Sequence, residues 1–206
     1  MTDTPTKSLN AESSSIFTIG DAIQQYAKNG EQSIHKGYRD VIKMLVDSGY
    51  DKPIKNDSYE DALFLSDIMF ENSQKSVKIF TGGGIEEFIE VLNDQFKKML
   101  HRIKLNNGSV KVVTLGGVIP NALKQLVVEY KETLQVVAAK AKEGTEVRHF
   151  IVCDEKMIRS EEPHGPLTKD SPASDIKAEV YFDNPSKGKF FSDMFDAIWK
   201  KVGSGN

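Results

Sequence analysis

A single cysteine, Cys153, in a chain of 206 residues leaves no intramolecular disulfide to form. Its place inside an apolar run marks it as a small buried hydrophobe. Long hydrophobic runs are missing too: no stretch approaches the roughly 18 residues that a membrane span requires. Met1 to Ser15 carry polar side chains where a signal peptide needs an apolar core. Nor is there a strong excess of one charge sign, because 27 Lys and Arg face 30 Asp and Glu, for a formal net charge of −3. That balance does not draw nucleic acid or anionic lipid to the surface at large, although it leaves room for local basic patches. These absences predict a cytoplasmic protein with no membrane partner.

What is present is enough to fold. With 39% apolar and 9% aromatic residues, the chain has material for one core, and its length asks for no second one. Residues 1–15 are Ser/Thr-rich with almost nothing to bury and read as a disordered tail. Residues 16–56 read as an N-terminal helical segment: Ile19, Ile23 and Tyr26, then Ile34, Tyr38, Val41 and Leu45, recur at helical spacing, with Gly30 as a joint. Gly49, Pro53 and Asn56 punctuate the stretch 48–58 as a connection. A second helix follows, capped by Asp57 or Ser58.

Residues 57–203 read as one α/β domain. Val77 opens a short apolar strand, a glycine turn and a helix bearing Ile85, Phe88, Ile89, Leu92 and Phe96. The pattern V-K-x-x-T-x-G-G recurs 33 residues on, from Val110. That interval fits a parallel βαβ crossover. Further strands are expected at 134–138, 147–153 and 176–182, with a Pro- and Gly-rich loop over 160–175 between the last two. A helix over about 187–202 closes the domain. The predicted fold is α/β, a mostly parallel central sheet of five or more strands with helices on both faces and an N-terminal helical extension.

In a parallel sheet the loops after the strands share one edge. Thr81, Gly82, Gly83 and Gly84 should therefore lie beside Thr114, Gly116 and Gly117, with backbone N–H groups able to line an anion pocket. Neither loop matches a dinucleotide- or nucleotide-binding glycine motif, and Glu86 and Glu87 occupy the first turn where an anion would sit. No cofactor is implied. His35 and His101 fall in helical patterns without partners at metal spacing, and His164 lies in an acidic loop beside Glu161 and Glu162, so no metal centre is predicted. Phe190, Phe191, Phe195 and Trp199 form a wide apolar stripe on the last helix, which packs on the chain's own sheet or contributes an interface to a second subunit. His149 stands apart, since it opens the run His149-Phe150-Ile151-Val152-Cys153-Asp154, a strand followed by a hairpin turn.

From Leu63 to Val202 this order of elements, with the H-F-I-V-C-D hairpin and the closing F-x-x-x-F-D-x-I-W helix, resembles one half of the phospholipase D superfamily. In active members of that superfamily a histidine attacks phosphorus, a lysine two residues on holds the phosphate oxygens and an aspartate seven residues on supports the site, as H-x-K-x-x-x-x-D. With His149 first, Ile151 stands at the lysine position and Lys156 at the aspartate position, while Asp154 falls two residues early. The resemblance brings Asn184 to the place of a polar residue facing phosphate. Loss of one electrostatic donor costs about 100- to 1000-fold in rate. The resemblance therefore implies a non-catalytic module, a binding or regulatory subunit of a homo-oligomer or protein complex of the sort found in bacterial regulation or defence. The alternatives are a phosphodiesterase or nuclease using His149 with Asp154, Asn184 or Glu161, or a sensor of nucleotides or other anionic ligands.

Overall fold

The computed structural model describes residues 31–56, 58–82, 85–140, 147–163 and 177–203. His164, Gly83, Gly84 and the expected helix before residue 31 lie outside them. Two compact units divide the chain, 1–45 and 46–206. The described part of the first is helical, within α1 (Glu31–Asp47). The second holds the sheet.

Seven strands form that sheet: β1 (Ile54–Asn56), β2 (Ser76–Thr81), β3 (Ser109–Thr114), β4 (Leu134–Ala138), β5 (Phe150–Cys153), β6 (Met157–Glu161) and β7 (Ala178–Tyr181), in the spatial order β1-β7-β6-β5-β2-β3-β4. The expectation of a mostly parallel sheet is corrected here. Only β2–β3 and β3–β4 run parallel, whereas β1–β7, β7–β6, β6–β5 and β5–β2 are antiparallel. A parallel return needs a crossover of a dozen or more residues, usually a helix. The chain between Ala138 and Phe150 has no apolar helical periodicity, so β5 enters beside β2 in the opposite direction. The connection expected over 48–58 also contains a strand, β1, which pairs with β7 at the sheet's edge.

The internal repeat sets the parallel part. Val77 pairs with Val110, and the register holds to Thr81 and Thr114. Between β1 and β2 lies α2 (Tyr59–Asn72), whose N-cap Ser58 accepts a bond from the Asp61 N–H at 2.9 Å. The single helix expected after β2 is two, α3 (Ile85–Val91) and α4 (Asn93–Leu105), with Leu92 between them. After β3 comes α5 (Asn121–Glu129), and after β7 comes α6 (Pro185–Gly203).

Strand alternation supplies two buried faces. Phe80, Val113, Phe150, Val152 and Ile158 meet Phe191 and Phe195 of α6 on one. Val77, Ile79, Val110 and Val112 point the other way and are as fully buried, on the side where α4 packs on β3 and the Phe70 and Phe96 rings of α2 and α4 meet edge to face at 5.4 Å. Phe191 and Phe195 are thus in the chain's own core, and Trp199 stacks on Phe195 at 5.8 Å. Phe190 is exposed.

Candidate functional site

The carboxyl ends of β1, β2, β3 and β6 and the amino ends of β5 and β7 lie along one edge of the sheet, which brings His149, Glu161, Gly82 and Asn56 to the same side. The β5–β6 ladder extends one residue ahead of β5, because the N–H of Glu161, the last residue of β6, donates to the His149 carbonyl at 2.8 Å. Residues directly opposite in such a pair present side chains to the same face. His149 Nδ1 accordingly sits 3.6 Å from Glu161 Oε2.

The other oxygen of that carboxylate, Oε1, accepts a bond from Arg159 Nη1. Two residues back on β6, Arg159 is buried on the same face, and its Nε donates to Asn56 Oδ1 at 2.7 Å. Burial pushes the Arg159 pKa down to about 9, which still leaves the guanidinium charged at neutral pH. A chain Asn56–Arg159–Glu161–His149 therefore runs from the sheet interior to the edge, where the imidazole keeps about a fifth of its surface exposed. The carboxylate balances the buried cation, and its second oxygen lies beside the ring, the spatial order of an acid placed next to a general base. Among the described residues, no group of three His, Cys, Asp or Glu is placed to hold a metal ion.

The described starts of the two glycine loops lie side by side, with Thr81 registered on Thr114 and the Thr114 hydroxyl 3.4 Å from the Gly82 carbonyl. Gly82 is there for the histidine, since a Cβ at that position would come within 3.1 Å of the imidazole Cε1. Gly117 has φ +74°, the left-handed region that favours glycine, at a turn where its N–H donates to the Ala139 carbonyl. The start of α5 already has an anion: Glu86 of α3 accepts from the Asn121 N–H at 3.0 Å.

Asp154 and Asn184 are elsewhere. Asp154 follows β5 at the opposite edge, with φ +51°, and its carboxylate accepts the backbone N–H groups of Gln74, Lys75 and Ser76 at 2.7, 2.8 and 2.8 Å. Asn184 caps α6 by accepting from the Lys187 N–H at 3.0 Å, while its own N–H donates to the Lys156 carbonyl of the β5–β6 turn at 2.9 Å. Neither side chain shares an edge with His149. Ile151 is buried on β5, paired with Ile79. Cys153 lies buried at the far end of β5, where burial pushes its thiol up to about 12 and keeps it protonated at neutral pH.

Comparison with solved structures places this architecture. The chain superposes on TrmBL2, described as an archaeal chromatin protein with a novel mode of DNA binding, at TM-score 0.53 and 15% identity, covering 87% of this chain and 65% of that one. It superposes on NucT from Helicobacter pylori at TM-score 0.51 and 13% identity, covering 73% and 95%. The fold is phospholipase D-like. A further phospholipase D family member, Nuc from Salmonella typhimurium, superposes at TM-score 0.48 and 13% identity over 72% of this chain and 95% of its own. The chain thus spans just under two thirds of the TrmBL2 length. No protein-family model and no curated protein sequence matches it.

Asn56 and Arg159 escaped the sequence reading. The signal for Arg159 was available: an arginine and a glutamate two apart, in a short run across a tight turn from a histidine. Asn56 gave none, because it sits on a three-residue strand inside a segment whose Gly and Pro content reads as a connection.

Proposed function

We propose that this chain is a non-catalytic phospholipase D-like module that acts by binding, as a subunit of a larger assembly. The observation that carries the reading is the position of Asp154. Its carboxylate is spent on three backbone N–H groups at the edge away from His149, a structural duty at the end of the hairpin strand. Counted back from that aspartate, H-x-K-x-x-x-x-D places Val147 at the nucleophile position and His149 at the lysine position. Counted forward from His149, it places buried Ile151 at the lysine position.

In the first frame the nucleophile is gone, and Val147 packs on the α6 side of the core. In the second, the motif's lysine is gone, and the nearby Arg159 is buried and engaged by Asn56 and Glu161 rather than open to a phosphate. His149 against Glu161 remains as a polar group at the edge, able to donate a hydrogen bond to an anionic ligand in the manner of the lysine it would replace. With Phe191 and Phe195 committed to the core, exposed Phe190 and partly buried Trp199 are the aromatics of the α6 stripe left for contact with a second subunit.

Purified protein incubated with bis(p-nitrophenyl) phosphate, and with single- and double-stranded DNA, is expected to give no turnover above the buffer blank, and His149→Ala the same. Hydrolysis by the wild type that disappears in His149→Ala would replace this reading with the phosphodiesterase.

A further inference from the structure

The lysines of two helices differ in how they are neutralised. On α6, Lys187 meets Glu179 at 3.2 Å and Lys189 meets Asp193 at 3.0 Å, while Lys78 of β2 reaches Asp196 of that helix at 2.8 Å. On α4, among the described residues, Lys97, Lys98 and Lys104 have no ion-pair partner. Helical geometry explains where they point: Phe96, Met99, Leu100 and Ile103 fill the buried arc, so 97, 98, 101 and 104 fall together on the opposite one. His101 stands in the middle of that stripe and is exposed.

Acid is sparse in this part of the chain, where Asp94 in the first turn of α4 is the one carboxylate on the helix. From Gln95 to Val128 there is no Asp or Glu, in a protein whose total charge is −3. Exposed Lys75 extends the stripe past the end of α4, because the turn there is bonded to it: the Ser109 N–H donates to the Lys75 carbonyl at 2.9 Å. Asp154, the acid nearest Lys75 in the backbone network, is occupied by N–H groups. The surface is thus a local cationic strip that the net charge conceals.

We infer that this strip docks the phosphate backbone of duplex DNA, without reading sequence. Lys97 to Lys104 spans about 10 Å along the helix at 1.5 Å per residue. One DNA strand offers about three phosphates over that length, at 3.4 Å rise each. A lipid surface is the poorer match, because an interfacial helix must insert a broad apolar face, and Phe96, Met99, Leu100 and Ile103 of α4 are buried in the protein's own core, which leaves Leu105 at its end as a single exposed apolar side chain on that helix's last turn. The inference is independent of whether His149 is catalytic, since no residue of the His149 edge belongs to the strip.

The test is fluorescence anisotropy with a labelled 20-base-pair duplex of random sequence, titrated at several salt concentrations. Three lysines each neutralising one phosphate give a slope of log Kobs against log salt of about −2.7, or roughly 40-fold weaker binding at 200 mM than at 50 mM salt. Lys97→Gln/Lys98→Gln/Lys104→Gln is expected to lose most of the affinity at 50 mM salt and to flatten that slope, with an unchanged thermal midpoint. Lys187→Gln/Lys189→Gln, which removes paired lysines, is expected to bind within twofold of wild type. No binding by the wild type at 50 mM salt, equal binding by the triple variant, or tighter binding to phosphatidylserine vesicles than to the duplex would each overturn the inference.

Discussion

The two edges of the sheet carry similar residues and use them in opposite ways. At one, Asp154 turns its carboxylate inward on the backbone of residues 74–76 and Asn184 caps a helix, so each polar side chain closes a local hydrogen-bond account of the fold. At the other, Glu161 divides its two oxygens between a buried guanidinium and an imidazole that reaches the surface. The lesson is that polar residue types in a hairpin do not identify a site. What distinguishes the His149 edge is that its network ends on a partly exposed ring, while the Asp154 network ends on main chain.

Substitutions at the two carboxylates sharpen that contrast. Glu161→Gln leaves Arg159 buried without its counter-charge, and breaking such a pair costs about 3–5 kcal/mol. For a chain of this size, that lowers the thermal midpoint on the order of 10 °C. A loss below about 1 kcal/mol would mean that Glu161 is not needed to hold Arg159 and serves the imidazole alone. Asp154→Ala removes three charge-assisted bonds and places alanine at a positive φ, for an expected loss of about 3 kcal/mol by urea denaturation. Binding of duplex DNA at the α4 strip should survive it when measured well below the unfolding midpoint. A folded Asp154→Ala protein that loses an edge-specific ligand would erase the distinction drawn between the edges.

The sequence disclosed those parts of the fold whose signal was local. The repeat from Val77 and Val110 carried strand type, parallel direction and register together, because identical offsets in two βα units leave one pairing open. Leu134–Ala138 and the closing helix were legible from apolar spacing, and Ser58 from its place before an apolar run. Direction failed beyond β4, since a strand's own pattern does not say which neighbour it will join, and β5 pairs with β2 across more than 70 residues of chain. Of β6 the sequence shows no more than the hairpin turn that leads into it, because Arg159, Ser160 and Glu161 read as solvent-facing until their partners are known.

The site followed the same rule. His149 was visible as an oddity at the head of an apolar strand. Glu161 was visible as an acid across the turn. Asp154 reads as part of the same site because five residues of sequence hide that a four-residue strand carries the chain from one edge to the other, and Asn184 is placed there by the family resemblance alone. The basic strip on α4 was hidden by averaging, as a near-neutral total says nothing about a 34-residue acid-free segment within it.

The central claim, that the edge histidine does not attack phosphorus, is tested most directly by intact-protein mass spectrometry after incubation with an activated phosphodiester and rapid acid-free quenching. The account predicts an unchanged mass for the wild type at every time point. A phosphoryl adduct that maps to His149 and is missing from His149→Ala would contradict it.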